Sequence, residues 1–203
     1  MSTFYDVRDF PTLKTLSESW PLIRAEFMAL NAPLMPLDRV NKSHDEVFGE
    51  VSDYVGQGNK FGWIVGWGRA GANEDWLQFP LIYRDAPVPF LNGEMHRTLG
   101  LLKDIKGIKV CALLKLNPHT SLPCHHHPEI AREGLLQFHL PLKTAATRNY
   151  NYLNVNGEFR QHVCGEPIIF DGSNDHFALN ESDEERVLLY MEFSARPPLA
   201  AAR

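Results

Sequence analysis

From residue 60 to residue 193 the chain is divided into short apolar runs: KFGWIVGWG, DWLQFPLIY, KVCALLKL, LLQFHLPL, YNYLNV, PIIF and RVLLYMEF, each four to nine residues long. They are rich in β-branched and aromatic residues and are separated by Gly, Pro, Asn or Asp clusters, which is the pattern of strands joined by turns. Asn156-Gly157, between YNYLNV and EFRQHV, is the sharpest hairpin signal, because a type I′ turn needs positive φ at both central positions. A single helical segment, NGEMHRTLGLLKDI, interrupts the series.

The first third reads differently. In SESWPLIRAEFMAL, Ser19 is a candidate N-cap with Pro21 in the first turn, and Leu22, Ala25, Phe27, Met28 and Leu30 give a broad apolar face. In SHDEVFGEVSDYVGQG, Ser43 is placed to cap, Asp45 and Glu46 suit the first turn, and Val47, Val51, Tyr54 and Val55 recur at helical spacing until Gly56. Helices followed by many evenly spaced strands predict a mainly β fold, a double-sheet barrel or jelly roll with helices packed outside it.

The whole length of 203 residues fits one domain: residues 1–59 helical and packed on the barrel, 60–195 the barrel, and 196–203 a tail. With a net charge of −5 and dispersed Lys and Arg, no basic patch marks a nucleic-acid partner. Cys111, Cys124 and Cys164 lack CxxC spacing, which argues against disulfides or a zinc knuckle. The acidic, proline-containing start and the lack of a long apolar window predict a cytoplasmic protein with no membrane partner.

Nine histidines stand out in a chain of this length. The densest set of potential ligands is Cys124-His125-His126-His127-Pro128-Glu129. In extended backbone His125 and His127 share one face and His126 takes the other, and two imidazoles on one face suit a first-row metal ion. His176, just past the turn Asp171-Gly172-Ser173-Asn174, joins them if the barrel closes and brings an early and a late strand together.

The stretches DWLQFPLIY (75 to 83), LNPHTSLPCH (116 to 125), QFHLPL (137 to 142) and GEPIIFDGSNDHFALN (165 to 180), with Arg186 ten residues after His176, carry a resemblance. The sequence resembles the aspartyl/asparaginyl β-hydroxylase family of iron(II)- and 2-oxoglutarate-dependent dioxygenases, whose fold is a cupin-like double-stranded β-helix. The matching stretches span residues 75 to 193, and His176-x-x-x-Asn180 fits the wider cupin pattern.

The resemblance implies iron(II) on His125 and His176, 2-oxoglutarate on Arg186 with His139 beside it, and dioxygen as the second cosubstrate. It places Trp76 and Gln78 along the active-site region. Neutral imidazoles suit iron(II), and an arginine fork is the best match for a partly buried carboxylate; on spacing alone, Arg186 also reads as a strand-end charge paired with Glu184 or Glu185. The usual His-x-acid pair is missing, so His127 is the third ligand, or Glu129 pairs with it, or two histidines suffice. Gln137 stands where relatives that grip an acidic substrate carry arginine, and Arg132 is the substitute. The expected reaction is hydroxylation of an amino acid, a peptidyl residue or a related small metabolite, with release of succinate and carbon dioxide. The alternatives are a three-histidine cupin dioxygenase that does not use 2-oxoglutarate and a non-catalytic metal-binding cupin.

Overall fold

The computed structural model describes residues 3–68 and 71–195; the expected tail, 196–203, lies outside them. Five α-helices are present among the described residues: α1 (Pro11–Glu18), α2 (Trp20–Ala29), α3 (His44–Gly56), α4 (His96–Leu102) and α5 (Pro128–Glu133). Strands β1 (Phe4–Tyr5), β2 (Leu34–Met35), β3 (Trp63–Gly68), β4 (Gly71–Tyr83), β5 (Ala86–Pro87), β6 (Ile108–Leu116), β7 (Thr120–His125) and β8 (Leu135–Lys143) are followed by β9 (Asn151–Val155), β10 (Glu158–Gln161), β11 (Ile168–Phe170), β12 (His176–Asn180) and β13 (Arg186–Ser194).

These strands build a two-sheet jelly roll, as the strand and turn pattern predicts. The larger sheet runs β1-β11-β8-β13-β6-β4-β3-β2, with β5 beside β4, and the smaller runs β10-β9-β12-β7. The Asn156-Gly157 hairpin joins β9 to β10 with both residues at positive φ, 50° and 86°, as a two-residue type I′ loop requires.

Side chains alternate across a strand, and here both faces of the larger sheet are covered. Leu113, Phe138, Leu140, Leu189 and Met191 face one way and form a single core with Leu13, Leu16, Ile23 and Val51 of the helices. Each fully buried side chain of this kind contributes about 1.5–3 kcal/mol. The alternate residues, such as Gln137, His139, Tyr190 and Glu192, face the smaller sheet across a chamber. That double coverage explains why no residue of RVLLYMEF is exposed, although Arg186, Tyr190 and Glu192 alternate along its chamber face.

Helix starts differ from expectation in one place and agree in another. Ser43 forms the full capping box with Glu46 on α3. Ser19 does not cap with its side chain: its backbone is near-helical (φ −88°, ψ 7°) and its hydroxyl donates to Thr15 O, whereas an N-cap side chain needs extended backbone. The cause is α1, which starts at Pro11 and runs almost directly into α2, and which the apolar pattern does not announce. The helix expected over residues 92–105 is confined to α4, because Asn92, Gly93 and Met95 take positive φ before it.

Candidate metal and cosubstrate site

The two halves of the site meet through strand pairing. His176, first residue of β12, lies opposite His125, last residue of β7, with ring centroids 4.3 Å apart. His127 follows at the entry to α5, 5.0 Å from the His125 ring and 5.4 Å from that of His176. One ligand nitrogen from each of the three lies within 4.8 Å of the others, and among the described residues no acidic residue joins the group. His126 turns outward and pairs with Asp175 at 3.0 Å.

The turn before β12 serves both sides of this cluster. Asp171 Oδ1 accepts from the Ser173 N–H and hydroxyl at 2.9 and 2.7 Å. The folded turn then presents Gly172 O to the His127 N–H at 2.9 Å and Asn174 O to the His176 ring at 2.8 Å.

Hydrogen bonding selects which nitrogens face one another. A carbonyl only accepts, so His125 Nδ1 donates to Pro123 O at 2.7 Å and His176 Nδ1 donates to Asn174 O. His127 Nδ1 is 3.2 Å from Glu129 Oε1, a carboxylate–imidazole pair of the kind that orients metal-binding histidines. Each Nε2 is left as the ligand atom. Burial, more than the neighbouring imidazoles, pushes His125 down to about 4 and His176 down to about 3. Both rings are therefore neutral near pH 7, the form in which imidazole binds a metal. The donor set fits a first-row divalent ion.

Arg186 starts β13 on the opposite sheet, paired with Leu116 of β6. It is reached across the chamber, not along the strand that carries His176. Its side chain is only 4% exposed, and it makes no ion pair among the described residues; Glu185 pairs instead with Lys115 and Lys143. Arg186 Nε is buried without a partner. Burial lowers its pKa to about 9, which still leaves it charged at neutral pH. A buried guanidinium with no carboxylate partner among the described residues suits a carboxylate ligand.

A short relay fixes the ring beside it. Arg186 can only donate, so His162 Nδ1 at 3.5 Å accepts and its Nε2–H donates to His139 Nδ1 at 3.1 Å. His139 then carries its proton on Nε2, in the chamber wall. Burial and the Arg186 charge hold both imidazoles well below the usual range. Asn180 supports Arg186 from behind: its amide donates to Leu116 O, Asn117 O and Glu184 O, tying down the turn from which β13 starts.

The remaining chamber wall holds Trp76, Gln78 and Gln137 together with Arg39, His44, Tyr190 and Glu192. Arg39 donates to Gln78 Oε1 and stacks 5.4 Å from the Trp76 ring. Gly66 makes room for that indole, since a Cβ there would lie 2.1 Å from Trp76 Cε2. Arg132 is elsewhere, exposed on α5 in a surface depression with Glu129 and Glu133. A second, largely apolar pocket, lined by Val47, Phe48, Val51 and Phe61, shares Arg39, His44, Gln78 and Val110 with the chamber.

Residues 17–196 match the family model for Aspartyl/Asparaginyl beta-hydroxylase. The chain belongs to this family. Ornithine lipid ester-linked acyl 2-hydroxylase of Rhizobium tropici is 27% identical over 201 residues, covering 98% of this chain and 62% of that protein, so the chain spans about 62% of that relative's length. Among solved structures, a predicted oxalate decarboxylase from Thermotoga maritima aligns with TM-score 0.41 and 18% identity over 59% of this chain and 80% of that one. The Schizosaccharomyces pombe Cnp3 cupin domain aligns with TM-score 0.40 and 10% identity over 59% and 65%.

In this family member the structure gathers His125, His127, His176, His139, Arg186, Trp76, Gln78 and Gln137 around one chamber. It leaves Arg132 outside and gives Glu129 to the back of His127. Sequence reasoning passed over Arg39, His44, His162, Tyr190 and Glu192. Arg39 lies in an irregular segment with no periodicity to read, and Tyr190 and Glu192 lie inside an apolar run. Alternation with Arg186 along RVLLYMEF was the available signal for those two. Among the described residues no helix is long and apolar enough to cross a membrane.

Proposed function

We propose that the chain is an iron(II)- and 2-oxoglutarate-dependent dioxygenase that hydroxylates an unactivated C–H bond of an amino acid, a peptidyl residue or a related small metabolite. The observation that carries this reading is Arg186, a buried guanidinium with no carboxylate partner among the described residues, lining the same chamber as three histidines whose ligand nitrogens converge. A three-histidine metal site alone needs no such cation.

His125 and His176 would hold the metal, with His127 as the third ligand. Bound iron(II) supplies the dioxygen chemistry by which 2-oxoglutarate becomes succinate and carbon dioxide while one oxygen atom enters the substrate. Arg186 would hold the distal carboxylate through its two-pronged fork. His162 keeps His139 in the tautomer whose Nε2–H donates into the chamber, a second polar anchor for the same cosubstrate. Leu114, Leu122, Leu153 and Ala178 complete apolar walls that keep bulk water from the reacting groups. No residue need act as a general acid or base.

The Rhizobium relative is named for acting on an acyl group, and the apolar pocket that shares a wall with this chamber supports a substrate with an aliphatic part. The reading is tested by succinate release with iron(II), 2-oxoglutarate and oxygen over free amino acids, short peptides and cell extract. Arg186→Ala should lose most of it at 2-oxoglutarate concentrations that serve the parent chain; unchanged succinate release in that variant would overturn the role given to Arg186, and oxygen consumption by the parent chain without succinate would favour a three-histidine dioxygenase that does not use 2-oxoglutarate.

A further inference from the structure

One carboxylate in the chamber has no part in the chemistry above. Glu192 lies on the chamber face of β13 and is only 3% exposed. Its Oε1 accepts from the Tyr190 hydroxyl at 2.6 Å, and its Oε2 is buried with no partner among the described residues. Directly across the sheet is Gln137, whose Nε2 donates to the same hydroxyl at 2.7 Å. Tyr190 has one proton and gives it to Glu192, so Gln137 must present its amide nitrogen to the phenol. Gln137 Oε1 is thereby left over, also buried and without a partner. Two acceptors in one wall therefore await a donor, and buried acceptors are retained unpaired only at a cost in stability.

Arg39 lines the same chamber. It is held by Gln78 and Trp76, and it makes no ion pair with Glu192 or any other carboxylate among the described residues. The wall therefore presents an anion and a cation that feel each other's charge across the chamber without forming a contact pair among the described residues. A second dicarboxylate, set against this wall and away from Arg186, would meet Glu192 as a like charge, and a neutral apolar group would leave its oxygen unsatisfied.

We propose that this wall recognises a substrate headgroup carrying a protonated amine beside an anionic oxygen, the amine donating to Glu192 Oε2 and Gln137 Oε1 and the oxygen accepting from Arg39. The inference deepens the hydroxylase reading and rests on it for the identity of the chamber. It accounts for an uncharged residue at position 137: an arginine there would face the ammonium group as a like charge.

The test uses the full chain and matched probes: L-norleucine, N-acetyl-L-norleucine, which lacks the ammonium, and 1-pentylamine, which lacks the carboxylate. Binding to metal-free protein is followed by calorimetric titration up to millimolar concentrations. Norleucine should bind about tenfold more tightly than either analogue, and Glu192→Gln should remove about that preference over the acetylated form. Arg39→Gln should remove the preference over pentylamine. Equal binding of the acetylated form, unchanged norleucine affinity in Glu192→Gln, or no norleucine binding to the parent chain would overturn the proposal. Amine-selective binding without any 2-oxoglutarate turnover would instead sink the hydroxylase reading and leave this site standing.

Discussion

The His127 N–H donates to Gly172 O at 2.9 Å, so the turn that delivers His176 to the chamber also pins the backbone of the histidine run it must meet. Gly172 has a second duty, because a Cβ at that position would lie 2.1 Å from Gln137 Oε1. Gly172→Ala should therefore cost about 1–3 kcal/mol of stability by overpacking and weaken iron(II) binding by about tenfold through displacement of the turn. Urea unfolding and anaerobic calorimetry measure the two effects separately; a variant with parent-like values in both would show that the turn yields without consequence.

The three-histidine group predicts a graded loss of metal. His125→Ala and His176→Ala should each lower iron(II) affinity by about 100-fold or more, and Glu129→Ala, which frees the His127 ring, by about tenfold. His126→Ala is the internal control: its ring is exposed and bonded to Asp175, so affinity should stay at the parent value. Loss of metal in the His126 variant would mean that the register of the run is wrong.

Arg186 separates charge from shape. Arg186→Ala should raise KM for 2-oxoglutarate by about 100-fold, the scale of losing one buried charge-assisted partner. Arg186→Lys keeps the charge but lacks the fork, so it should recover only part of this. Succinate release as a function of 2-oxoglutarate concentration reads both variants, and equal KM values for Lys and Arg would argue against two-pronged binding.

Three buried imidazoles and one half-buried one couple stability to pH. His125, His176, His139 and His162 all have folded values below the ordinary 6.5, so the unfolded chain takes up protons first as pH falls. Their contribution is fully present above about pH 6.5 and is lost on acidification below it, at up to about 1.4 kcal/mol per pH unit for each group. Metal-free protein should thus lose urea resistance between pH 6.5 and 4.5, and His162→Asn should flatten that slope by one group's share. A slope unchanged by His162→Asn would mean that His162 is not held neutral.

Much of the scaffold was legible in order: the strand and turn rhythm, the Asn156-Gly157 hairpin and the Ser43 capping box are local features whose physics is contained in a few neighbouring residues. α1 was not, because its apolar residues Leu13 and Leu16 are too few to establish a period before Ser19 interrupts it. The family resemblance named His125, His176, His139 and Arg186 as one set, yet spacing alone left Arg186 open to a surface pairing with Glu184 or Glu185. Burial of its guanidinium and the commitment of Glu185 to Lys115 and Lys143 decide that point.

What the sequence determined by itself is the set of strands, the turns between them and the residue types capable of holding a metal and a carboxylate. What the tertiary structure alone decided is which charged side chains lack an ion pair among the described residues: Arg186 and Glu192 in the chamber wall, Arg132 outside it, and Arg39 brought in from an irregular segment. Local sequence governs backbone conformation through neighbouring sterics and capping, whereas the pairing of a charge depends on what the closing sheets place opposite it, and those partners lie tens of residues away.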